Sequence, residues 1–342
     1  MFQPPSFGES LPSVVFLDTV SVCNARCPFC PLFRGDDPMR RDIHPAAMMD
    51  PALFQRIITE LAALPVWPSV VYFGYLGETL LDRHFTERLE AVVAAGFSAP
   101  IDILTNGAFL DEFKARQIAV ANIGKVTIGF DGATEATYKK HRVRCDYHQV
   151  LSNIKRFARI RTDLQSTTRI VVQFVRTRDN VSEVRQAYQL FAEFLDPARD
   201  YFQDNISKDW ASMPLVQSDL ICMHRPVHRG THGYCPRFAA ELVVHCDGKI
   251  GGCSWDYNLD IAGSLGDING ASVLDVFRGP GRAAVDRAMR SGHLGDKPAK
   301  CRECVFLYEP ANVPLTEAAI DDLRLVEQNP YALVYYFPPK SP

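Results

Sequence analysis

Short apolar runs alternate with stretches of helical periodicity along about the first two-thirds of the chain. The apolar runs predict β-strands at Val14–Asp18, Val70–Tyr75, Ile101–Thr105, Lys125–Phe130, Thr168–Val175 and Tyr201–Asp204. The stretches between them predict helices at Ala52–Ala63, His84–Ala95, Asp111–Val120, Tyr147–Ile160 and Ser182–Glu193. Asp50 and Pro51 support the first helix, because Asp is a common N-cap and proline is favoured at the first helical position.

This strand–helix alternation predicts an α/β fold with a parallel sheet and right-handed crossovers. Six units indicate a partial (β/α)6 TIM-like barrel that stays open, rather than a closed barrel of eight strands. In such barrels the chemistry lies at the C-terminal ends of the strands. Residues 1–206 are predicted to form this barrel.

The pattern changes from about Lys208, where cysteine, glycine and histidine become frequent. Two alternating runs, Glu241–Cys246 and Lys249–Cys253, flank an Asp-Gly pair, which is typical of a β-hairpin. Further helices are predicted at Ser272–Phe277, Gly281–Arg290 and Leu315–Glu327. Residues 207–342 are therefore predicted to be a small cysteine-rich C-terminal domain, made of a β-hairpin plus helices.

The composition excludes several classes of partner. Lys and Arg number 37 against 40 Asp and Glu, so the net charge is −3 and favours neither nucleic acid nor an anionic membrane. Met1–Ser13 lacks the basic and apolar pattern of a signal peptide, and no run reaches the roughly 18–20 apolar residues of a membrane span. We expect a cytoplasmic protein.

Ten cysteines are unusual for a chain of 342 residues without an export signal. In a reducing compartment they favour metal ligation or redox chemistry over disulfides. Cys23, Cys27 and Cys30 form Cys-x3-Cys-x2-Cys directly after the first predicted strand. Three thiolates cannot saturate the four irons of a cubane cluster, so one iron would stay open for a ligand. The alternative is a structural zinc site, which usually has four ligands in two separated pairs.

Glycine-containing motifs follow the next three predicted strands in order. Gly74–Leu81 contains Gly77-Glu78, Thr105–Gly107 reads Thr-Asn-Gly, and Gly129–Gly132 reads Gly-Phe-Asp-Gly. Each motif alone is typical of a turn. The ordered series behind the cysteine triad resembles the radical S-adenosylmethionine (SAM) superfamily over nearly the whole chain.

The resemblance implies a [4Fe–4S] cluster on Cys23, Cys27 and Cys30, with SAM bound to the open iron through its amine and carboxylate. Cleavage of SAM then gives a 5′-deoxyadenosyl radical that takes a hydrogen atom from a substrate. The resemblance also implies the following SAM-binding residues: Phe29 beside the adenine, Gly77 and Glu78 at the amine, Arg142 at the carboxylate, and Asn106 and Asp131 in the motifs that face SAM.

Three positions depart from the family pattern. Leu76 and Thr79 stand where glycine and often proline are usual, and Gly129 replaces a serine whose hydroxyl often contacts SAM. Asn180, followed by Glu183, is similar to the segment after the fifth strand of the family.

A second cysteine set, Cys-x17-Cys-x47-Cys-x2-Cys, lies in the C-terminal region, at Cys235, Cys253, Cys301 and Cys304. It resembles the auxiliary-cluster domain of the Twitch type, a shortened SPASM domain, and so implies one auxiliary [4Fe–4S] cluster. Four thiolates would close all the irons, so this cluster would carry an electron rather than bind SAM. A structural zinc ribbon is the alternative, since a closed four-cysteine site suits zinc as well.

The catalytic residues remain open, with Asp131, Cys222 and Cys246 as candidates. The remaining cysteines, Cys145, Cys222 and Cys246, are scattered, and free cysteines are most often packing residues. One of them would be the hydrogen-atom donor if the reaction ends by returning a hydrogen atom to the substrate.

Polar residues near the junction of the two regions suit a hydroxylated or charged small molecule. They are Asp204, Asn205, Trp210, His224, Arg225, His228, Arg229 and His232, and a solvated loop is the alternative interpretation. We expect a sugar, aminocyclitol or sugar nucleoside in natural-product biosynthesis, such as that of an antibiotic, and an electron donor such as flavodoxin or ferredoxin.

Three reactions are compatible with these patterns. The first is oxidation of an alcohol to a ketone, because the single auxiliary cluster resembles that of radical SAM aminocyclitol dehydrogenases. The second is a redox-neutral decarboxylation or epimerisation. The third is maturation of a peptide or activation of another enzyme. A non-enzymatic iron–sulfur scaffold is a more distant alternative.

Overall fold

A parallel sheet with antiparallel edges forms the centre of the molecule. The computed structural model describes residues 6–30, 47–206, 234–257, 259, 261, 263–302, 304, 325–329 and 332–337. Across these residues the strands form one ten-stranded sheet in the order β8-β7-β1-β2-β3-β4-β5-β6-β10-β9. The strands from β7 to β6 in this order are parallel, whereas β8, β10 and β9 pair antiparallel at the two edges.

The bounds of the elements follow the sequence prediction closely over the barrel. The strands are β1 Val14–Leu17, β2 Val70–Phe73, β3 Ile101–Thr105, β4 Lys125–Gly129, β5 Arg169–Arg176, β6 Tyr201–Ile206, β7 Glu241–Val244, β8 Ile250–Gly251, β9 Leu325–Asn329 and β10 Ala332–Tyr336. The α-helices are α1 Pro51–Ala62, α2 Phe85–Ala94, α3 Glu112–Val120, α4 Glu135–His141, α5 Tyr147–Asp163, α6 Val184–Ala192, α7 Pro236–Ala240, α8 Val273–Phe277, α9 Pro280–Arg290 and α10 Ala299–Arg302. The predicted partial barrel is confirmed.

The two faces of the barrel strands have different partners, as the alternation of side chains in a strand requires. Phe73 of β2 packs edge-on against Phe54 of α1, with ring centroids 5.1 Å apart, so its face is covered by helices. Tyr72, on the opposite face, stacks on Phe16 of β1 at 4.6 Å. The face of Phe16 and Tyr72 is therefore the interior of the barrel.

A polar layer, defined here as Tyr72, Asp102, Lys125 and Thr127, fills the lower interior of the barrel. The Lys125 ammonium lies 2.9 Å from the Asp102 carboxylate, and the Thr127 hydroxyl donates to the same carboxylate at 2.9 Å. Burial and the nearby Asp102 raise the pKa of Tyr72 to about 12. Lys125 and Thr127 thus satisfy the buried Asp102 carboxylate, as buried polar groups require.

The C-terminal elements depart from the prediction. The predicted helix Leu315–Glu327 is wrong at its end, because residues 325–327 lie in β9, and its other residues lie outside the described part of the chain. β9 pairs antiparallel with β10, and β10 pairs antiparallel with β6. This pairing covers the edge of β6, which would otherwise present unpaired backbone groups. The short helix α4 and the strand β10 were not predicted from the sequence.

The predicted hairpin forms with shorter strands, and β7 continues the barrel sheet by pairing parallel with β1. The division into domains 1–206 and 207–342 stays a prediction, and residues 207–233 lie outside the described ranges. In the part of the chain that the structure describes, no helix combines the length and apolar character needed to span a bilayer.

A buried ion pair between Arg161 of α5 and Asp200 should be essential to the stability of the barrel. Both side chains are almost fully buried, and Arg161 Nη2 lies 2.8 Å from Asp200 Oδ2. Arg161→Leu should lower the free energy of unfolding by about 3–5 kcal/mol, because it leaves a buried carboxylate without its partner. Chemical denaturation of the anaerobically purified protein measures this change.

The matched control is Arg159→Leu, which removes an exposed arginine two residues away on the same helix and should have little effect. Equal loss of stability in the two variants would contradict this account of Arg161.

Candidate active site

The cysteine triad follows the carboxyl end of β1. Cys27 is buried, while Cys23 and Cys30 are half-buried. The Ala25 amide lies 3.4 Å from Cys23 Sγ, and the Cys30 amide donates to the Cys27 carbonyl at 3.0 Å. Burial, reinforced by the neighbouring Glu78 at Cys23, raises the pKa of the Cys23 and Cys27 thiols to about 12. A bound cation would reverse this effect, since a coordinating thiol is deprotonated by the metal.

Two donors from other strands contact the triad. Asn106, which follows β3, places its Nδ2 atom 3.8 Å from Cys23 Sγ and donates to the Asn24 side chain at 2.8 Å. Arg142 places Nη1 3.9 Å from Cys27 Sγ. The structure therefore brings together the triad and two of the predicted SAM-binding residues.

Glu78 is buried at the junction of the loops that follow β2 and β3. Its carboxylate accepts hydrogen bonds from the Asn106 amide at 2.7 Å, from the Leu80 amide at 3.1 Å and from the Thr105 hydroxyl. Burial raises the pKa of Glu78, and these hydrogen bonds act against the increase. The bonds fix the carboxylate beside the triad, and its unused lone pairs can accept the ammonium group of a ligand.

Gly77 packs directly against the loop that carries the triad. A Cβ atom at this position would overlap the Val20 carbonyl group, so the close approach requires glycine. The preceding Leu76 amide donates to the carboxylate of Asp18 at 3.2 Å. This hydrogen bond between Leu76 and Asp18 ties the Gly77-Glu78 segment to the end of β1. Burial raises the pKa of Asp18 to about 7.

Asp131 and Arg142 form a buried ion pair above the end of β4. The second Asp131 oxygen accepts from the Val175 amide at 2.6 Å, so Asp131 is held on both sides. Although burial acts to lower it, the pKa of Arg142 is raised by Asp131 and by Cys27. The guanidinium also lies 5.5 Å from the centre of the Phe29 ring. In this arrangement Asp131 positions Arg142, and its role as a catalytic residue stays a prediction.

The substitution of serine by Gly129 has a physical explanation. A Cβ atom at position 129 would overlap the Arg142 guanidinium. The arginine thus occupies the space that a serine side chain would need, and it presents its own donors there.

Asn180 and Glu183 stabilise the loops around this pair. Asn180 Nδ2 donates to the Asp131 carbonyl at 3.1 Å and to the Val175 carbonyl at 2.9 Å. Glu183 accepts from the Ala133 amide at 2.7 Å and from the Thr134 and Thr137 hydroxyls at the start of helix α4. Both residues therefore bond to the protein itself around the site.

The second cysteine set gathers at the open end of the β7–β8 hairpin. Cys235 precedes α7 and β7, and Cys253 follows β8. Burial raises the pKa of the Cys253 thiol well above its ordinary value, with Cys235 adding to the effect, and Cys301 lies within electrostatic reach of Cys235 and Cys304. Cys235, Cys253 and Cys301 are buried and Cys304 is half-buried, and electrostatic contacts connect all four.

The two cysteine sets lie at opposite ends of β1, because β7 is parallel to β1 and begins beside Val14. At about 3.3 Å per residue, the four residues of β1 span on the order of 13 Å. Tyr75, in the Gly77-Glu78 loop, extends between the sets: its hydroxyl donates to the Ser254 carbonyl at 2.9 Å, next to Cys253. Its ring also packs against His245 at 5.8 Å. The sequence offered no signal for this role of Tyr75.

The other cysteines have structural contacts. Asn24 Nδ2 lies 3.6 Å from Cys145 Sγ. Cys246 is buried, and its thiol donates to the Asp18 carbonyl at 2.8 Å. Cys222 lies outside the described residues, as do Trp210 and the histidines and arginines between residues 224 and 232. The assignment of a catalytic cysteine stays a prediction.

Amide side chains line the upper interior of the barrel on the side of β5 and β6. Gln173, Gln203 and Asn205 alternate with helix-facing residues and are half-exposed, and Gln203 Nε2 donates to Asn205 Oδ1 at 3.0 Å. Asp204 faces the other way and pairs with Arg176, whose Nε lies 3.1 Å from it. Asn205 is therefore available to a ligand, whereas Asp204 is engaged in the packing of the barrel.

The donor set fits an iron–sulfur cluster with one open iron, since the three thiols of the triad lie within electrostatic reach of one another and of the Glu78 carboxylate. In the stretches that the structure describes, no three His, Cys, Asp or Glu side chains are arranged to hold a single metal ion.

The comparisons with known proteins agree with the fold and the motifs. The model of the radical SAM superfamily matches residues 18–187, and this part of the chain belongs to the superfamily. Members of the superfamily use a [4Fe–4S] cluster and SAM, and these are cofactors of this enzyme. A search of the curated proteins finds no match to the chain.

Several solved structures share the fold. BtrN in complex with AdoMet and 2-DOIA is 16% identical with a TM-score of 0.52, over 86% of this chain and 92% of that one. anSMEcpe with bound AdoMet is 16% identical with a TM-score of 0.57, over 86% of this chain and 88% of that one. SuiB from Streptococcus suis, bound to precursor peptide SuiA, is 12% identical with a TM-score of 0.63, over 87% and 70%.

Glu78 provides a direct test of the SAM site. Glu78→Ala should weaken SAM binding on the order of tenfold or more, because a charge-assisted hydrogen bond contributes about 1.5–3 kcal/mol. Isothermal titration of the reconstituted protein with SAM measures the affinity, and iron content should stay unchanged. The control is Glu87→Ala, an exposed glutamate on α2. Wild-type affinity in Glu78→Ala would show that the motif has been assigned wrongly.

Proposed function

We propose that this radical SAM enzyme oxidises an alcohol of a small hydroxylated molecule, such as a sugar, an aminocyclitol or a sugar nucleoside, to a ketone. The observation that carries the proposal is the contact of Tyr75 with Ser254. It links the Gly77-Glu78 loop to a closed set of four cysteines. Oxidation of the substrate requires an acceptor for a second electron, and an auxiliary cluster on these cysteines would be that acceptor. A redox-neutral reaction requires no such acceptor.

In this proposal Cys23, Cys27 and Cys30 hold the cluster to which SAM binds. Glu78 accepts hydrogen bonds from the SAM amine, and Arg142, fixed by Asp131, donates to the SAM carboxylate. Phe29 lies beside the adenine, Gly77 allows close approach of the backbone, and Asn106 orients the loop at the triad. When bound, the cluster and SAM supply a radical that removes a hydrogen atom from the substrate.

The oxidation balances as the loss of two hydrogens from the substrate. One leaves as a hydrogen atom to the radical, and the other leaves as a proton and an electron. Cys235, Cys253, Cys301 and Cys304 would hold an auxiliary [4Fe–4S] cluster that receives this electron and passes it to an external acceptor. An electron donor such as flavodoxin or ferredoxin would reduce the first cluster.

The choice of substrate is supported by the amides of Gln173, Gln203 and Asn205. Neutral amides both donate and accept hydrogen bonds, which suits hydroxyl groups. A structure of the same fold, BtrN, holds the small molecule 2-DOIA beside AdoMet. SuiB, which has the same fold, binds a precursor peptide. Analysis of the product must therefore distinguish a modified peptide from an oxidised small molecule.

Iron content and product mass test the proposal. The anaerobically reconstituted protein should bind about eight irons, as two cubanes of four. Replacing Cys23, Cys27 and Cys30 by alanine should leave about four irons and abolish 5′-deoxyadenosine formation. With an aminocyclitol and sugar panel, turnover should give a product lighter by two hydrogens, with about one 5′-deoxyadenosine per ketone, by the balance above.

Cys301→Ala should stop turnover, whereas the matched control Cys246→Ala should leave the identity of the product unchanged. Zinc in place of iron at the second cysteine set would contradict the auxiliary cluster. A product lighter by carbon dioxide, one carrying solvent deuterium at an inverted carbon, or a modified peptide would replace oxidation by one of the other reactions.

A further inference from the structure

Arg282 of α9 is a buried cation beside the second cysteine set. Its side chain is 1% exposed. The guanidinium lies between two aromatic rings, 4.4 Å from the centre of Phe238 and 4.4 Å from the centre of Phe277. Nη2 donates to the Phe238 carbonyl, while Nε and Nη1 have no hydrogen-bond partner within the described residues. A buried charge without compensation is strongly unfavourable.

The carboxylates nearest to Arg282 are already engaged. Glu241 accepts from Arg237 at 2.7 Å and from the Ser254 amide at 2.7 Å. Asp286 pairs with Arg290 at 2.7 Å and accepts from the Tyr234 hydroxyl. Among the residues that the structure describes, no carboxylate forms a salt bridge with Arg282. Both carboxylates lie within electrostatic reach of Arg282 but bond to other groups, so neither compensates its charge by direct contact.

Cys253 of the second set also lies within electrostatic reach of Arg282, and as a cluster ligand it would be a thiolate. Burial lowers the pKa of Arg282 to about 10, and the nearby Tyr234 and Cys253 act against the decrease. The guanidinium therefore stays charged at neutral pH. Arg282 is also bonded to the end of the short helix α7, which begins directly after Cys235. An oxidised [4Fe–4S] cluster held by four thiolates carries net negative charge, and its reduced form carries one further negative charge.

We propose that Arg282 is a buried counter-charge of the second cluster and raises its reduction potential. The inference rests on the proposed auxiliary cluster. A cation in a medium of low dielectric constant stabilises the reduced, more negative cluster more than the oxidised one. Charge and hydrogen bonding around a cluster are established determinants of its potential. A raised potential makes the cluster a better acceptor of the electron that leaves the substrate.

The experiment measures the midpoint potential of the second cluster alone. The full chain carrying Cys23→Ala, Cys27→Ala and Cys30→Ala is reconstituted anaerobically, and its remaining cluster is titrated electrochemically with detection by electron paramagnetic resonance. Arg282→Met should shift the midpoint to more negative potential, and Arg282→Gln, a second neutral variant, should shift it in the same direction. Arg282→Lys keeps the charge and should stay near the parent value.

The matched control is Arg290→Met. Arg290 is a partly exposed arginine of the same helix, and it is paired with Asp286. This variant should leave the potential near that of the parent. An unchanged potential in both neutral variants, with about four irons bound, would overturn the role of Arg282 alone. Absence of iron from the parent protein would overturn the second cluster, and the role of Arg282 with it.

Discussion

The parallel pairing of β1 with β2 on one side and β7 on the other is the constraint on which both cysteine sets depend. Val14 lies in register with Val70 of β2 and with Glu241 of β7. β1 leads into the triad, whereas β7 begins just after Cys235 and its hairpin returns to Cys253. The strand pairing thereby places the two sets toward opposite ends of β1, and the loop after β2 supplies both Glu78 and the connecting Tyr75.

Buried charge around the site is matched in two different ways. Near the triad the protein supplies its own partners: Asp131 compensates Arg142, and three hydrogen bonds satisfy Glu78. These groups are already held in place, so the binding of SAM proposed here would require little reorganisation of them. Near the second set, Arg282 lacks a carboxylate partner among the described residues. In our proposal, the second cluster would supply negative charge beside this arginine.

The sequence predicts the barrel well because its strands are short apolar runs with clear turn residues between them. The prediction from sequence fails where pairing between distant strands determines the secondary structure. Residues 325–327 are strand rather than helix because they pair through β10 with the edge of β6. The partner of Asp131, the reason for Gly129 and the link through Tyr75 depend on contacts between distant residues, which periodicity and motif spacing do not encode.

The polar layer beneath the site has a consequence for substitutions in the barrel interior. Asp102 is almost fully buried and pairs with Lys125 below the triad, and Thr127 donates to the same carboxylate. A small apolar residue in place of Lys125 would leave the buried Asp102 charge without its partner, which is strongly unfavourable inside a protein. The site can therefore be enlarged at less cost at the carboxyl ends of the strands than downward into this layer.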